Sequence, residues 1–108
     1  AAHTVPPTGA KGMNLAVADV ILLNQALQAL LLRGDEAPLG RYAEVATQRI
    51  WKAQHFSWWM TSMLHLSPES SEFDQMRQIG ELRSVVDSEA GRTYLAEAYT
   101  GWPFRTEL

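Results

Sequence analysis

The sequence predicts an all-α fold in which a loop rich in proline and glycine precedes the first helix. Apolar residues recur at helical spacing in four segments, and serine, proline or glycine stands where those segments begin or end. No segment alternates polar and apolar residues as a half-buried strand would. At 108 residues the chain is at most one domain.

The first helix is predicted from about Gly12 to Arg33. The basic residue in its last turn and Gly34 directly after it are typical of a helix C-terminus. Asp19 lies in the early turns, where we expect its negative charge to favour the helix dipole. The apolar residues at helical spacing are Leu15, Ala18, Leu22, Ala26, Ala29 and Leu30.

The second helix is predicted to begin near Pro38, since proline suits a first turn, and to end before Pro68. At a rise of 1.5 Å per residue it forms a rod of about 40 Å. Its predicted packing stripe consists of Leu39, Ala43, Ala46, Ile50, Ala53, Ser57, Met60 and Leu64. The C-terminal half also carries more aromatic surface than one short chain can easily cover, which favours a core or subunit-interface role. These side chains are Trp51, Phe56, Trp58, Trp59, Met60 and Met63.

The third and fourth helices are predicted from their N-caps. Ser70 or Ser71 is placed to cap the third helix, and Asp87 or Ser88 to cap the fourth, which runs through Tyr99. The third helix then carries Glu72 and Asp74 in its first turn and Phe73, Met76, Ile79, Leu82 and Val86 as its apolar residues, and Gly101-Trp102-Pro103 closes the fourth.

Composition disfavours several classes of function. The net charge is −3 and no basic stripe with interleaved aromatics occurs, so we expect no nucleic-acid partner. Cysteine is absent, and the N-terminus lacks a basic region followed by an apolar core, so a cytoplasmic location is expected. Phe56–Leu64 is taken as the longest uncharged apolar stretch; it is far shorter than the roughly 20 residues of a membrane span, and we expect no span.

The histidines do not predict a metal site. No two of His3, His55 and His65 have the i, i+4 spacing of a helical metal-binding pair, and no nearby carboxylate completes a ligand set. His65 is interpreted as a charge at a helix end, and His55 as a hydrogen-bonded residue among the aromatics. No nucleophile-elbow motif indicates Ser-His-Asp catalysis.

Residues 6–14, Pro-Pro-Thr-Gly-Ala-Lys-Gly-Met-Asn, are the most informative stretch of the chain. Two prolines stiffen the backbone, and Gly9 and Gly12 then allow turns and the close approach of a ligand. The first amides of the following helix lack intrahelical partners and lie at the positive end of its dipole, next to Lys11. The order G-x-x-x-x-G-K-[ST] and a preceding strand are missing, which disfavours a phosphate site. The electron-rich pyrimidine edge of a flavin is the better interpretation.

Three stretches resemble the C-terminal portion of the flavin-dependent aromatic hydroxylases. They are residues 1–3 with 5–14, residues 49–53 with 56–62, and residues 88–91 with the pattern Tyr99-x-Gly101-x-Pro103. The tryptophan-rich run Phe56–Ser62 makes chance agreement implausible. Ala10-Lys11 between the two glycines is typical of the branch that acts on 4-hydroxybenzoate, where other relatives usually have Gln-Gly.

The resemblance implies a domain organisation. Residues 1–14 would end the loop that binds FAD and substrate. Residues 15–108 would form the helical C-terminal interface region of a larger α/β FAD-binding monooxygenase, which we expect to be a homodimer. The chain does not begin with methionine, and the family's earlier flavin and nicotinamide motifs are missing. We therefore expect a piece of a longer polypeptide that is inactive without the remainder of its parent chain.

The resemblance also implies residue roles. Backbone amides at Met13 and Asn14 would bind the C2 carbonyl side of the flavin ring, Gly12 would belong to the same cofactor-binding stretch, and Lys11 would add positive potential beside it. The Pro7 carbonyl would accept a hydrogen bond from the phenolic hydroxyl of the substrate, with Thr8 beside the reacting oxygen. Tyr99, which the residues alone mark only as a packing residue, would belong to a tyrosine relay that removes the phenolic proton.

The implied activity is hydroxylation of 4-hydroxybenzoate to 3,4-dihydroxybenzoate, with FAD as cofactor, NADPH or NADH as co-substrate, and O2. Two alternatives stay open. One is a related flavin hydroxylase of another hydroxybenzoate, because the residues that bind the substrate carboxylate are not in this chain. The other is a non-enzymatic helical interaction module, suggested by the aromatic second helix.

Overall fold

The computed structural model describes residues 3–101 and 103. Four helices follow an N-terminal loop, and the described residues contain no strand, which confirms the predicted all-α fold. Ala1-Ala2, at the start of the predicted motif, and Trp102, in the predicted closing turn, lie outside the described residues. The helices are α1 (Lys11–Arg33), α2 (Ala37–Leu64), α3 (Glu72–Val86) and α4 (Glu89–Thr100).

The two long helices form a hairpin with a short connection. Gly34 ends α1 in the left-handed conformation (φ 66°), and its N–H donates to the Leu30 carbonyl at 2.9 Å. The Asp35 carboxylate then accepts the amide of Ala37, the first residue of α2, at 3.1 Å. The helices pack through mostly small side chains, which let their backbones approach closely: Leu15, Ala18, Leu22, Ala26 and Ala29 from α1, and Ala46 and Ala53 from α2.

The buried face of α2 only partly follows the predicted stripe. Ala46, Ala53 and Ser57 are buried as expected, but Leu64 is half exposed. Phe56 and Met63 are buried instead. The physical reason is that α2 contacts more than one element, because the N-terminal loop and α4 cover Phe56 and α3 lies beside Met63.

Helices α3 and α4 begin at serine caps. Ser71 caps α3, accepts the Asp74 amide at 3.1 Å and completes a capping box with the Asp74 side chain. Ser88 caps α4 by accepting the Gly91 amide at 3.2 Å. Both positions are among those predicted. Helix α3 has no buried residue, so its predicted apolar face is left largely uncovered by the described residues.

Helix α1 is apolar beyond the face that it buries. Met13, Val17, Val20, Leu27 and Leu31 are exposed along it at spacings of three, four and seven residues. By length and composition alone α1 could span a membrane. This is weak evidence for a span, since core helices of soluble proteins pass the same test. The choice of Phe56–Leu64 as the longest uncharged apolar stretch is wrong, because residues 20–32 of α1 form a longer stretch without charge.

Candidate functional site

The loop before α1 ends in a tight turn. The Ala10 N–H donates to the Pro7 carbonyl at 2.9 Å, and Gly9 adopts φ 80°, a conformation that glycine reaches without steric cost. Ala10 also has a positive φ (51°), which is uncommon for a residue with a Cβ. These two residues turn the chain directly into α1, which begins at Lys11, one residue earlier than predicted.

The N-terminus of α1 has no side-chain cap and no acidic residue in its first turn. In an α-helix that starts at Lys11, the amides of Lys11, Gly12 and Met13 have no intrahelical acceptor. Met13 and Asn14 are exposed, so this helix end is open on one side. The arrangement provides amide donors and the positive end of a helix dipole, which together suit an electron-rich acceptor.

Phe56 connects the loop with α4. It is only 1% exposed, and a Cβ built on Gly9 would lie 2.6 Å from its Cε1 atom, so the turn packs directly onto the ring. The Phe56 and Tyr99 rings meet edge-on, with centroids 6.0 Å apart. The loop and the last turn of α4, which are distant in sequence, therefore meet on one buried aromatic side chain.

Lys11 lies at the same junction. Its Nζ atom is 5.0 Å from the centre of the Phe56 ring and 5.8 Å from that of Tyr99, and it donates a hydrogen bond to the Tyr99 carbonyl. This arrangement holds a positive charge near the open end of α1. The structure thus brings together Lys11 and Tyr99, which the sequence places 88 residues apart.

A cavity of about 200 Å³ opens beside this junction. Lys11 and Asn14 line it from α1. Arg49 of α2 adds a second basic residue, which the sequence did not predict as a site residue. The signal that could have found Arg49 is its position one helical turn before Ala53, which faces α1. The complete lining is Lys11, Asn14, Leu15, Arg49, Ala53, Thr100 and Gly101.

Thr8 is attached to α2 at two atoms. The buried Ser57 hydroxyl donates to the Thr8 carbonyl at 2.9 Å, and the Thr8 and Thr61 hydroxyl oxygens are 2.7 Å apart. Gln54 of the same helix donates to the Thr4 carbonyl. One face of α2 therefore holds the loop in place.

His3 and Asp19 form a second attachment that the sequence analysis missed. His3 Nδ1 lies 3.2 Å from Asp19 Oδ2, which is within the distance of an ion pair, but the angles are not those of a hydrogen bond. Both side chains are largely buried. The prediction that Asp19 favours the helix dipole is wrong. Asp19 lies in the third turn, buried by the loop, whereas the dipole acts mainly within the first turn.

The other histidines occupy structural positions. His65 follows α2 as its C-cap residue, which agrees with its predicted place at a helix end. His55 stacks on Trp59 and hydrogen-bonds through Nε2 to the Tyr94 hydroxyl at 3.3 Å, as expected for a residue among the aromatics. Within residues 3–101 and 103, no group of three or more His, Cys, Asp or Glu side chains is placed to hold a metal ion.

Comparison with known proteins defines the class. The profile of the family described as "FAD binding domain" matches residues 1–57, which include the loop, all of α1 and α2 through Ser57. The chain belongs to this family of FAD-binding domains.

A particular relative extends the similarity to nearly the whole chain. The p-hydroxybenzoate hydroxylase of Acinetobacter baylyi (strain ATCC 33305 / BD413 / ADP1) is 49% identical over 104 residues, which is 96% of this chain. The matched region is 26% of the relative, so the chain spans about a quarter of that protein's length.

Proposed function

We propose that this chain forms one side of the flavin and substrate site of an FAD-dependent monooxygenase. The complete enzyme would hydroxylate 4-hydroxybenzoate to 3,4-dihydroxybenzoate with NADPH or NADH and O2, in the cytoplasm. The observation that carries the proposal is the junction at Phe56, where the loop turn, Lys11 and Tyr99 meet. The 49% identity to p-hydroxybenzoate hydroxylase supports this choice of substrate.

The N-terminus of α1 fits the flavin ring by the chemistry of its donors. The helix has no side-chain cap, so the amides of Gly12 and Met13 offer free N–H groups and a positive dipole end to an electron-rich edge, with Asn14 exposed beside them. Lys11 adds a full charge that the Phe56 ring and the Tyr99 carbonyl hold in position. When bound, FAD would supply the oxygen-activating redox chemistry.

Pro7 and Thr8 would orient the phenolic end of the substrate. The Pro7 carbonyl already accepts the Ala10 amide, but a carbonyl oxygen has a second lone pair that can accept the phenolic hydroxyl. The turn and the rigid proline ring fix this oxygen before substrate binds, and a fixed acceptor reduces the entropic cost of reaching a reactive geometry.

Tyr99 would pass the phenolic proton away from the substrate. Its ring is 60% exposed at the end of α4, beside Lys11 and Phe56, so its hydroxyl is accessible to a partner from the remainder of the polypeptide. Removing that proton makes the aromatic ring more electron-rich and therefore a better nucleophile.

The exposed aromatic surface supports assembly with the remainder of the polypeptide and with a second copy. Trp51 and Trp58 are 68% and 65% exposed. They are seven residues apart, which is about two helical turns, so they lie on the same side of α2. Tryptophan is enriched in the cores of protein interfaces. The same surface favours the alternative of a non-enzymatic interaction module, which predicts self-association without flavin binding.

The full-length polypeptide tests the proposal. We expect it to bind FAD and to oxidise NADPH or NADH faster with 4-hydroxybenzoate, yielding 3,4-dihydroxybenzoate by chromatography. Tyr99→Phe should slow hydroxylation about 10²- to 10⁴-fold, the usual contribution of a proton-transfer group. Tyr94→Phe is the matched control and should stay near the wild-type rate, because the Tyr94 hydroxyl contacts His55 instead.

Each contrary result has a defined meaning. A full-length protein that binds no flavin would overturn the proposal and leave the interaction module. Stimulation by 2-hydroxybenzoate or 3-hydroxybenzoate alone would retain the reaction class and overturn the substrate.

A further inference from the structure

We infer that Ser57 and Thr61 of α2 are positioning residues for the substrate-facing loop, and that they make the Thr8 hydroxyl a hydrogen-bond acceptor toward the substrate. This inference rests on the proposed function and deepens it. Its basis is a closed set of three hydrogen bonds that joins Thr8 to one turn of α2.

The direction of the Thr8–Thr61 bond follows from counting protons. The Thr61 hydroxyl donates to the Ser57 carbonyl at 2.8 Å. A threonine hydroxyl has one proton to donate and two lone pairs that accept, so Thr61 can only accept in its 2.7 Å contact with Thr8. Thr8 is therefore the donor in this contact.

The Ser57 hydroxyl fixes the backbone of the same residue. Ser57 is completely buried, and its hydroxyl donates to the Thr8 carbonyl at 2.9 Å. Thr8 is thus held through its carbonyl and its side chain, while the turn holds the Pro7 carbonyl next to it. Two bonds on one residue restrict its rotation more than either bond alone, so α2 sets the direction of the adjacent Pro7 carbonyl.

The direction of the Thr8–Thr61 hydrogen bond determines which hydrogen bonds Thr8 can make with a substrate. Because the Thr8 hydroxyl hydrogen is directed at Thr61, Thr8 Oγ1 offers only lone pairs to a bound molecule. Thr8 Oγ1 can accept a hydrogen bond from the phenolic hydroxyl of a substrate, as the Pro7 carbonyl can, but it cannot donate one to a phenolate. The loop as held by α2 therefore favours binding of the neutral phenol, and the proton must leave by another group.

Substitution of Thr61 in the full-length protein tests this inference. Thr61→Val keeps the shape of the side chain but removes both hydrogen bonds of its hydroxyl. We expect unchanged FAD content and a roughly 10- to 100-fold lower kcat for hydroxylation, the range associated with displacement of a positioned group by up to about 1 Å. Thr61→Ser restores the hydroxyl and should return kcat to within about 3-fold of the wild type, a rescue that a purely steric role would not give.

Matched controls are available on α4 and α3. Thr93 donates to the Glu89 carbonyl at 2.9 Å, the same backbone contact that Thr61 makes, but it does not contact the loop. Ser84 donates to the Gly80 carbonyl at 2.7 Å and serves as the control for Ser57→Ala. Thr93→Val and Ser84→Ala should keep the wild-type kcat, whereas Ser57→Ala should lower it.

Wild-type kcat in Thr61→Val, or failure of Thr61→Ser to rescue, would overturn the inference. A second measurement does not depend on activity: hydrogen exchange of the Ala10 amide, which is bonded within the turn. We expect Thr61→Val and Ser57→Ala to accelerate that exchange and Thr93→Val to leave it unchanged. If the wild-type enzyme fails to hydroxylate, the proposed function is wrong. Faster exchange of the Ala10 amide in the two variants would still support the attachment of the loop to α2, and unchanged exchange would overturn it.

Discussion

The candidate site and helix α3 differ in how deeply their side chains are buried. At the site, bonds join residues far apart in the chain, such as Thr8 with Thr61 and Lys11 with Tyr99, and they converge on the buried Phe56 ring. Helix α3 has no buried residue and begins with a local capping box between Ser71 and Asp74. Its long-range hydrogen bonds lie at a more exposed surface, where Trp59 donates to Glu81 and Gln78 donates to the Ser62 and His65 carbonyls. Stability at the site therefore depends on packing around a buried side chain, whereas α3 combines a local cap with hydrogen bonds to α2 and the residue after it.

The comparison is tested most strongly by the same substitution in both regions. Phe56→Ala removes a 1% exposed ring and should lower the free energy of unfolding by about 3–5 kcal/mol. Phe73→Ala removes a 74% exposed ring from α3 and should change it by no more than about 0.5 kcal/mol. Urea unfolding followed by circular dichroism measures both values. Equal losses would show that α3 is buried against something other than the described residues.

A pair of glycines separates backbone strain from packing. Gly9→Ala places a side chain at φ 80° and sets its Cβ 2.6 Å from the Phe56 ring, which is buried and cannot move freely. The left-handed conformation costs about 1–2 kcal/mol and overpacking a further 1–3 kcal/mol. We expect a loss of about 2–5 kcal/mol, measured by urea unfolding.

Gly34→Ala is the control, because Gly34 has a similar φ of 66° but no atom of the described residues lies within 4 Å of the added Cβ. It should cost only the conformational part, about 1–2 kcal/mol. Equal losses in the two variants would show that the loop does not pack firmly onto Phe56.

The same contrast explains which features could be predicted from the sequence. The Ser71 cap, the end of α1 at Gly34 and the four helices follow from signals within a few residues, and the structure confirms them. The amide-presenting loop was also predicted from local chemistry. The ion pair of Asp19 was not predicted, because its partner His3 belongs to a loop whose path depends on packing.

The long-range contacts at the site could not be predicted from the periodicity of apolar residues, which indicates only which face of a helix is buried. Phe56 was counted among surplus aromatics, and nothing local indicates that Gly9 and Tyr99 would cover it. Ser57 was predicted only as a packing residue, although its hydroxyl holds the loop. The importance of Tyr99 came from family resemblance alone, since a single tyrosine near a helix end has many structural uses.

Gly91, in the first turn of α4, lies very close to the backbone of Val85 near the end of α3. A Cβ on Gly91 would lie 2.6 Å from the Val85 carbonyl oxygen and 2.9 Å from its Cα, and backbone atoms there cannot rotate away. Gly91→Ala should therefore destabilise by about 1–3 kcal/mol. Gly80→Ala, inside α3 where the described residues leave space for a Cβ, should stabilise by about 0.5–1 kcal/mol. Thermal unfolding should give opposite shifts, and shifts of the same sign would contradict the close approach at Gly91.

The smallest expected effect is a pH dependence confined to α3. The side-chain hydrogen bond from Ser71, followed by the backbone hydrogen bond from the same residue, lowers the pKa of Asp74 below its ordinary value of 3.8. A carboxyl whose pKa is lower in the folded state stabilises that state fully above the unfolded value, and the contribution is lost as pH falls through the folded pKa. The first turn of α3 should therefore fray as the pH falls through this lowered pKa, while the turn on Phe56 keeps its packing. A carboxyl-carbon NMR titration of Asp74, with the Ser71 amide shift as the local readout, measures this directly. In Asp74→Asn the Ser71 amide should lose its acid-dependent shift, and a wild-type Asp74 midpoint at or above 3.8 would show that the capping box does not persist in solution.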